Sequence, residues 1–178
     1  PVIEEYIFRK QLIDRMHVYG EKLAVITSAL MFGLFHGNLS QLFYAFALGL
    51  VFGYVYLKTG KLRYSISLHM LINFIGSVAG PFFLEKIAVL GTMETLDMVA
   101  LESIMPWLIG FGAYVLVLIG LAITGLVLLC INKRKVSFAP AELELPKDDR
   151  FMTVYGNVGM ILLVVGCTAL IVASLIPL

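Results

Sequence analysis

Charged side chains are scarce in this chain. Lys, Arg, Asp and Glu make up 14% of its 178 residues, whereas apolar residues make up 60%. Soluble globular domains carry about 25% charged residues, so the composition excludes that class and predicts an integral membrane protein that has the lipid bilayer as its solvent. The net charge of +1 gives no sign of a nucleic-acid partner, and we expect none.

Cysteines are few, and the common cofactor motifs are missing. The two cysteines, Cys130 and Cys167, both lie inside apolar runs, where unpaired buried thiols are the usual state. The sequence contains no P-loop, no dinucleotide fingerprint and no H-E-x-x-H zinc motif. We therefore expect neither a cofactor nor a bound metal.

Long apolar runs dominate what is present. A helix needs about 20 apolar residues to cross a bilayer, and four of the five runs reach that length, while the first is marginal. The sequence predicts an all-α fold, a polytopic transmembrane helical bundle of about six helices: five apolar spans and a mixed N-terminal helix over 2–19. The five runs are 23–37, 39–57, 64–84, 104–131 and 154–178.

The basic residues decide the predicted orientation, because Lys and Arg collect on the cytoplasmic side of a membrane. The basic stretches around 9–22, 58–63 and 132–153 are therefore placed in the cytoplasm, and the acidic stretch 85–103 outside. The predicted organisation is a core over 1–84, an extracytoplasmic loop over 85–103, a transmembrane helix over 104–131, a cytoplasmic loop over 132–153 and a last transmembrane helix over 154–178.

Two adjacent carboxylates, Glu4 and Glu5, lie among apolar residues at the start of the chain. On a helix Glu5 and Arg9 are four residues apart and share a face, while Glu4 points about 100° away. Arg9 can hold Glu5, which leaves Glu4 partly desolvated beside a like charge, conditions that favour a general base. The alternative is a carboxylate pair that only anchors a helix end at the membrane interface.

Gly20 predicts a turn between the first helix and the run that contains His36. Glu4 lies sixteen residues before Gly20 and His36 sixteen after it, so an antiparallel hairpin brings them to about the same height. We expect the carboxylate of Glu4 to contact the imidazole of His36. The alternative is a core histidine that is bonded to a neighbouring hydroxyl or carbonyl.

His69 and Asn73 are also four residues apart and share one face of the third apolar run. Both side chains can donate hydrogen bonds inward, either as simple contacts between helices or as an oxyanion site. In such a site, donors in a low-dielectric cavity stabilise the negative oxygen of a tetrahedral intermediate. These residues indicate a hydrolase without identifying the bond that it cleaves.

The motifs occur in a familiar order: E-E-x-x-x-R from residue 4, F-x-x-x-H from residue 32 and H-x-x-x-N from residue 69. With them the chain resembles the CPBP intramembrane endopeptidases, the family of the type 2 CAAX prenyl proteases (Rce1-like) and of the bacteriocin-processing or Abi proteins. The resemblance covers residues 2–80. Each motif is short, but three in order make a strong joint signal.

The resemblance implies a metal-independent glutamic endopeptidase in a bacterial plasma membrane. Its cavity would open to the cytoplasm, and its substrate would be a membrane-associated peptide or protein. The family usually has about three helices ahead of the first motif, and since the chain begins at Pro1, we expect these helices to be missing by truncation. The site residues carried over are Glu4 as the base that activates water, His36 as its assistant, His69 and Asn73 as oxyanion binders, and Glu5, Arg9 and Phe32 in support.

Three other functions stay open at this stage. Glutamates 4 and 5 with histidines 36 and 69 offer ligands for zinc in a metal hydrolase, which loss of activity in chelator and recovery with zinc would favour. The fold also suits a non-catalytic bacteriocin-immunity or scaffold protein, which unchanged cellular function after Glu4→Gln would favour. A small transporter with a proton relay is the third, although no internal repeat supports it.

Overall fold

The computed structural model describes residues 1–88, 98–143 and 146–176, and these residues form an all-α fold. The predicted helical membrane fold is confirmed. The described residues contain seven helical stretches longer than a single turn. They are α1 (2–19), α2 (Glu21–Phe35), α3 (Leu39–Thr59), α4 (Leu62–Ala88), α5 (Met98–Asn132), α6 (Lys147–Tyr155) and α7 (Val158–Ser174).

Helix α1 changes its helical type along its length. Val2–Glu5 is α-helical, Tyr6–Ile13 is π-helical, and the helix closes with a 3-10 turn at His17–Tyr19. π-Helical segments are rare in proteins, and those that occur are often found at functional sites. Gly20 then reverses the chain with a φ of 113°, which glycine adopts at little cost because it has no Cβ atom. The turn that the sequence predicts is therefore present.

Helices α1 and α2 form the expected antiparallel hairpin, and α3 packs closely on α2. Phe8, twelve residues before Gly20, contacts Phe32, twelve residues after it, with ring centroids 5.5 Å apart. A Cβ atom on Gly49 of α3 would lie only 2.8 Å from the Cα atom of Ala29 in α2. Small residues thus allow the close backbone approach that is common between helices in lipid.

Fewer helices are long enough to cross a membrane than the five predicted spans. Among the described residues, three helices are long and apolar enough: Leu39–Thr59, Leu62–Ala88 and Leu101–Lys135. Helix α2 has 15 residues and α7 has 17. The predicted span over 154–178 is divided because the Asn157 side chain accepts a hydrogen bond from the Met160 N–H at 2.9 Å and so begins a new helix.

The predicted loops are also shorter than the charge pattern suggested. Helix α4 continues to Ala88 and α5 begins at Met98, so both ends of the predicted loop 85–103 are helical, and 89–97 lie outside the described residues. The predicted loop 132–153 likewise contains a 3-10 turn and most of α6. Charge shows where a chain reaches water, but Glu and Lys are good helix formers and do not end a helix.

The chain divides into two compact units. The core unit comprises Pro1–His69 together with Phe138–Leu178, and the second unit comprises Met70–Ser137. This division differs from the predicted one, because the C-terminal segment belongs with the motif-bearing helices. Tyr155 and Thr27 share a hydrogen bond of 2.8 Å between their hydroxyls, and α7 residues pack on the cluster around Phe8.

Candidate active site

Glu5 and Arg9 form a fully buried ion pair within α1. Neither residue is exposed, and Arg9 Nε donates to Glu5 Oε2 at 3.1 Å while Nη2 donates to Oε1 at 3.4 Å. This is the contact that the spacing of four residues predicts. A buried ion pair is costly to desolvate unless further hydrogen bonds satisfy its remaining polar atoms. The neighbouring helices supply those bonds.

The Arg9 guanidinium is enclosed by two aromatic rings and one hydroxyl. Nη1 donates to Ser28 Oγ in α2 at 2.7 Å. The carbon of the guanidinium lies 4.9 Å from the ring centre of Phe32 and 5.9 Å from that of Phe52. Cation–π attraction is strongest where the cation is desolvated, as it is here. The supporting position expected for Phe32 is thus explained by contact with the buried cation.

His69 in α4 lies between the two glutamates. Its Nδ1 is 3.0 Å from Glu5 Oε1, its Nε2 is 3.5 Å from Glu4 Oε2, and only 3% of the residue is exposed. An ionised carboxylate only accepts hydrogen bonds, so a neutral imidazole, with one N–H, can donate to only one of the glutamates. The two ring nitrogens of His69 thus face one glutamate each, with Nδ1 the nearer of the two.

Glu4 is the solvent-accessible member of the carboxylate pair. Its side chain is 32% exposed, whereas that of Glu5 is fully buried. Arg9 neutralises Glu5 within α1, so Glu4 depends on His69 for its contact with the cluster. The two adjacent glutamates thus have different environments: Glu5 is buried and held by Arg9, and Glu4 is partly exposed.

His36 does not form the predicted contact with Glu4. In the part of the chain that the structure describes, no ion pair joins them; Nδ1 of His36 instead bonds the carbonyl oxygen of Phe32 at 2.7 Å. The local bond wins because His36 is the C-cap residue of α2, where carbonyls of the last turn need donors. Since a carbonyl only accepts, Nδ1 carries a proton, and Nε2 is the ring nitrogen that this bond leaves available.

One aromatic ring links the two histidines. Phe32 contacts the ring of His36 at 4.8 Å and that of His69 at 5.4 Å, both edge-on. Phe52 stacks on the other side of His69, with ring centroids 5.2 Å apart. Such packing restricts the rotation of His69, so that its two nitrogens stay directed at the two glutamates.

Asn73 follows His69 by one helical turn on the same face of α4. It lies near the end of the α-helical part, Leu62–Phe74, just before the π-helical segment Ile75–Ala79. Its side chain is exposed, and the residue falls in the second unit, whereas His69 falls in the core unit. The role of Asn73 as an oxyanion binder stays a prediction.

Sequence reasoning missed three residues that the structure brings into the site: Ser28, Phe52 and Ser65. Ser28 and Ser65 are fully buried hydroxyls within apolar helices. Each had a signal in the sequence, because Ser28 precedes Phe32 by four residues and Ser65 precedes His69 by four, which puts each serine on the face of its motif. Phe52 had no comparable signal among the many apolar residues of α3.

The donor set does not favour the zinc hypothesis. No group of three or more His, Cys, Asp and Glu side chains within residues 1–88, 98–143 and 146–176 is arranged to hold a metal ion. Both oxygens of Glu5 already accept hydrogen bonds from Arg9. The guanidinium charge would also repel a dication at this carboxylate.

Fold and site together define a class: a polytopic membrane protein with an acid–base cluster of two glutamates, an arginine and a histidine. A family model described as Rce1-like, the type II CAAX prenyl endopeptidases, matches residues 1–75. The chain is 31% identical over 77 residues to the putative membrane peptidase YdiL of Bacillus subtilis, an alignment that covers 41% of this chain and 30% of that protein.

A second relative gives the same result. The chain is 31% identical over 80 residues to the membrane-embedded CAAX protease MroQ of Staphylococcus aureus, which covers 41% of this chain and 32% of that protein. No solved structure matches the chain. Residues 1–75 are thus similar to the Rce1-like family, and these matches confirm the resemblance over that part of the chain. They span about a third of the length of each curated relative.

Proposed function

We propose that this chain carries the catalytic core of an intramembrane endopeptidase, which hydrolyses a peptide bond of a membrane-associated peptide or protein with water activated by Glu4. The observation that supports this most directly is the position of His69 between a buried, arginine-bound glutamate and an accessible one. A carboxylate that is open to water and next to a fixed imidazole is suited to acid–base work.

Glu4 is the general base in this proposal. It takes a proton from water as the water oxygen bonds to the carbonyl carbon of the substrate. When the C–N bond breaks, the protonated Glu4 returns that proton to the leaving amine, so that the carboxylate is regenerated. No metal ion is needed for these steps. His36 assists at this stage, as the family resemblance implies, through Nε2, the ring nitrogen that is not bonded to the Phe32 carbonyl.

His69 stabilises the oxyanion. Glu5 Oε1 lies 3.0 Å from Nδ1 of its ring, so that Nε2 is directed to the side of Glu4. A donor fixed in a low-dielectric site is worth more than the same donor in water, because it needs no reorganisation as charge develops. Asn73 supplies the second donor, as the family resemblance implies. Glu5 and Arg9 keep this arrangement in place.

The site opens to the cytoplasm of a bacterial plasma membrane in this proposal. Basic residues follow the glutamates along α1 and recur after α3, and such residues collect on the cytoplasmic side. A substrate that approaches within the membrane or from the cytoplasmic surface would meet the exposed side of Glu4.

The test is Glu4→Gln, which keeps the shape of the side chain but cannot accept the proton. The full-length protein and its variant are expressed in cells that lack it, and membrane peptides with new termini are compared by mass spectrometry. We expect cleavage to fall by about 10²- to 10⁴-fold. Size-exclusion chromatography in detergent checks that the variant is folded.

Glu85→Gln is the matched control, since Glu85 is an exposed glutamate of α4 outside the cluster. It should leave cleavage unchanged. If a folded Glu4→Gln protein cleaves as the wild type does, the proposal is wrong, and the non-catalytic immunity or scaffold function gains support.

A further inference from the structure

Ser28 joins the buried ion pair to the π-helical segment of α1. Its hydroxyl accepts a hydrogen bond from Arg9 Nη1 at 2.7 Å and donates one to the carbonyl oxygen of Phe8 at 2.6 Å, and the residue has no exposed surface. Phe8 and Arg9 both lie within the π-helical segment Tyr6–Ile13. A single hydroxyl on α2 thus contacts both the main chain and the charged side chain of this segment.

The Phe8 carbonyl lies in the π-helical segment and accepts a hydrogen bond from another helix. Where a helix in an apolar environment leaves its regular ladder, side chains of neighbouring helices satisfy the backbone groups that are freed. The second π-helical segment, Ile75–Ala79, has the same feature, because the Tyr114 hydroxyl donates to the Ile75 carbonyl at 2.8 Å. Ser28 differs from Tyr114 because its oxygen also accepts from a charged group of the site.

We propose that Ser28 is a positioning residue of the peptidase site: it fixes the direction of the Arg9 guanidinium, and through Glu5 it fixes the direction of His69. The contacts are continuous, from Ser28 to Arg9 at 2.7 Å, from Arg9 to Glu5 at 3.1 Å, and from Glu5 to His69 at 3.0 Å. The rings of Phe32 and Phe52 confine the guanidinium, but they accept no directed hydrogen bond.

A serine with a purely structural role would stabilise the contact of α1 with α2 and nothing more. Thr27 provides the comparison, because it is the neighbouring residue, is equally buried, and bonds the Tyr155 hydroxyl at 2.8 Å. Thr27→Ala and Ser28→Ala each remove one buried hydroxyl from the same helix. We expect similar losses of thermal stability from both changes, so stability alone does not separate the two roles.

The first test observes His69 directly and needs no substrate. The full chain is labelled with ¹⁵N in the imidazole rings of its three histidines, reconstituted in vesicles of phosphatidylethanolamine and phosphatidylglycerol, and examined by solid-state NMR. We expect Ser28→Ala to shift the ring-nitrogen signals of His69 and to leave those of His17 and His36 in place. Thr27→Ala should shift none of them.

The second test rests on the proposed function. A peptide that spans a bond cleaved by the wild type in membranes serves as substrate, and we expect Ser28→Ala to lower kcat by about 10- to 100-fold with little change in KM. Thr27→Ala should leave kcat near the wild-type value. Ser28→Cys, which keeps the volume but is a weak hydrogen-bonding group, is the second variant and should behave like Ser28→Ala.

The outcomes separate this inference from the proposed function. Unchanged His69 signals in folded Ser28→Ala and Ser28→Cys proteins overturn it, as does a kcat equal to that of Thr27→Ala. If Glu4→Gln retains full cleavage, the function fails instead, and the NMR measurement alone decides whether Ser28 positions His69. Tyr114→Phe removes the hydroxyl from the other π-helical segment and should leave the His69 signals unchanged.

Discussion

The core unit and the second unit differ in what their helices bury. The core unit buries the charges of Glu5 and Arg9 completely, and in its span Leu39–Thr59 an apolar 18-residue stretch with a mean hydropathy of 1.5 has 28% of its residues buried. In the second unit, Ile104 is the one buried residue among those described. In its span Leu101–Lys135, the corresponding 18-residue stretch has a mean hydropathy of 2.8 and contains no buried residue. The more apolar helix thus makes the less specific packing.

The difference in burial between the two units follows from the lipid that acts as their solvent. Lipid tails are as apolar as leucine, so apolarity places a helix in the bilayer without choosing a neighbour for it. Specific packing comes from close backbone approach and from hydrogen bonds. The core unit has both, at Gly49 against Ala29 and at Ser28 against Arg9. The polar groups that fix the packing of the core unit are also the groups of the candidate site.

The largest expected effect is on the buried charges of the core unit. Arg9→Met leaves Glu5 buried without its cation, and we expect the free energy of unfolding to fall by about 3–5 kcal/mol. Arg134→Met makes the same change at an exposed position after α5 and should alter it by less than about 0.5 kcal/mol. Unfolding of the full chain in mixed detergent micelles, followed by circular dichroism, measures both.

A double variant sharpens this comparison. Glu5→Gln in the Arg9→Met background removes the uncompensated charge, so part of the lost stability should return. If Arg9→Met and Arg134→Met cost the same, the buried pair contributes nothing specific, and the distinction between the two units has no energetic basis.

The features that the sequence predicted correctly depend on short-range helical geometry. The contact of Glu5 with Arg9 follows from a spacing of four residues, and the antiparallel hairpin of α1 and α2 follows from the turn at Gly20. Both needed only the helical repeat and a turn. The family resemblance depended in the same way on spacings within single helices.

The features that the sequence did not predict depend on competition between partners. His36 could bond either Glu4 or the carbonyl of Phe32, and the local carbonyl wins because it lies in the same helix. The double role of Ser28 exists only because α2 is packed against α1. A spacing rule has no information on which of two available partners is closer in three dimensions.

Glycines provide the second way to test the comparison between the units. A Cβ atom on Gly49 would meet Ala29, so Gly49→Ala should push α3 from α2 and lower the free energy of unfolding by about 1–3 kcal/mol. Gly120 in α5 has no described atom within 4 Å of an added Cβ. Gly120→Ala should therefore leave stability unchanged or raise it by up to about 1 kcal/mol, because alanine is the better helix former.

The same unfolding measurement decides this prediction. A loss at Gly120 as large as that at Gly49 would contradict it and would show that α5 packs as closely as α3 does. Gly33→Ala is a further variant in the core unit, where the added Cβ would lie 2.9 Å from the carbonyl oxygen of Leu42, and it should behave like Gly49→Ala.

The smallest expected effect concerns Glu21 at the start of α2. This residue binds the segment that begins at Phe138, where the chain re-enters the core unit. Glu21 Oε2 accepts hydrogen bonds from Lys58 Nζ and from the Ala139 N–H, each at 2.7 Å. Partial burial raises the pKa of Glu21, but these hydrogen bonds and the charge of Lys58 outweigh it, so the pKa lies below its ordinary value of 4.5.

A carboxyl group whose pKa is lower in the folded state stabilises the fold above its unfolded pKa, and this contribution disappears as the pH falls through the folded value. Between about pH 6 and about pH 3, the wild type should therefore lose about 1 kcal/mol more unfolding free energy than Glu21→Gln. Glu142 is an exposed glutamate of the segment that begins at Phe138, and Glu142→Gln should keep the wild-type pH dependence. If Glu21→Gln keeps it as well, the segment is held by the packing of Phe138 on Tyr54, at 5.5 Å, rather than by charge.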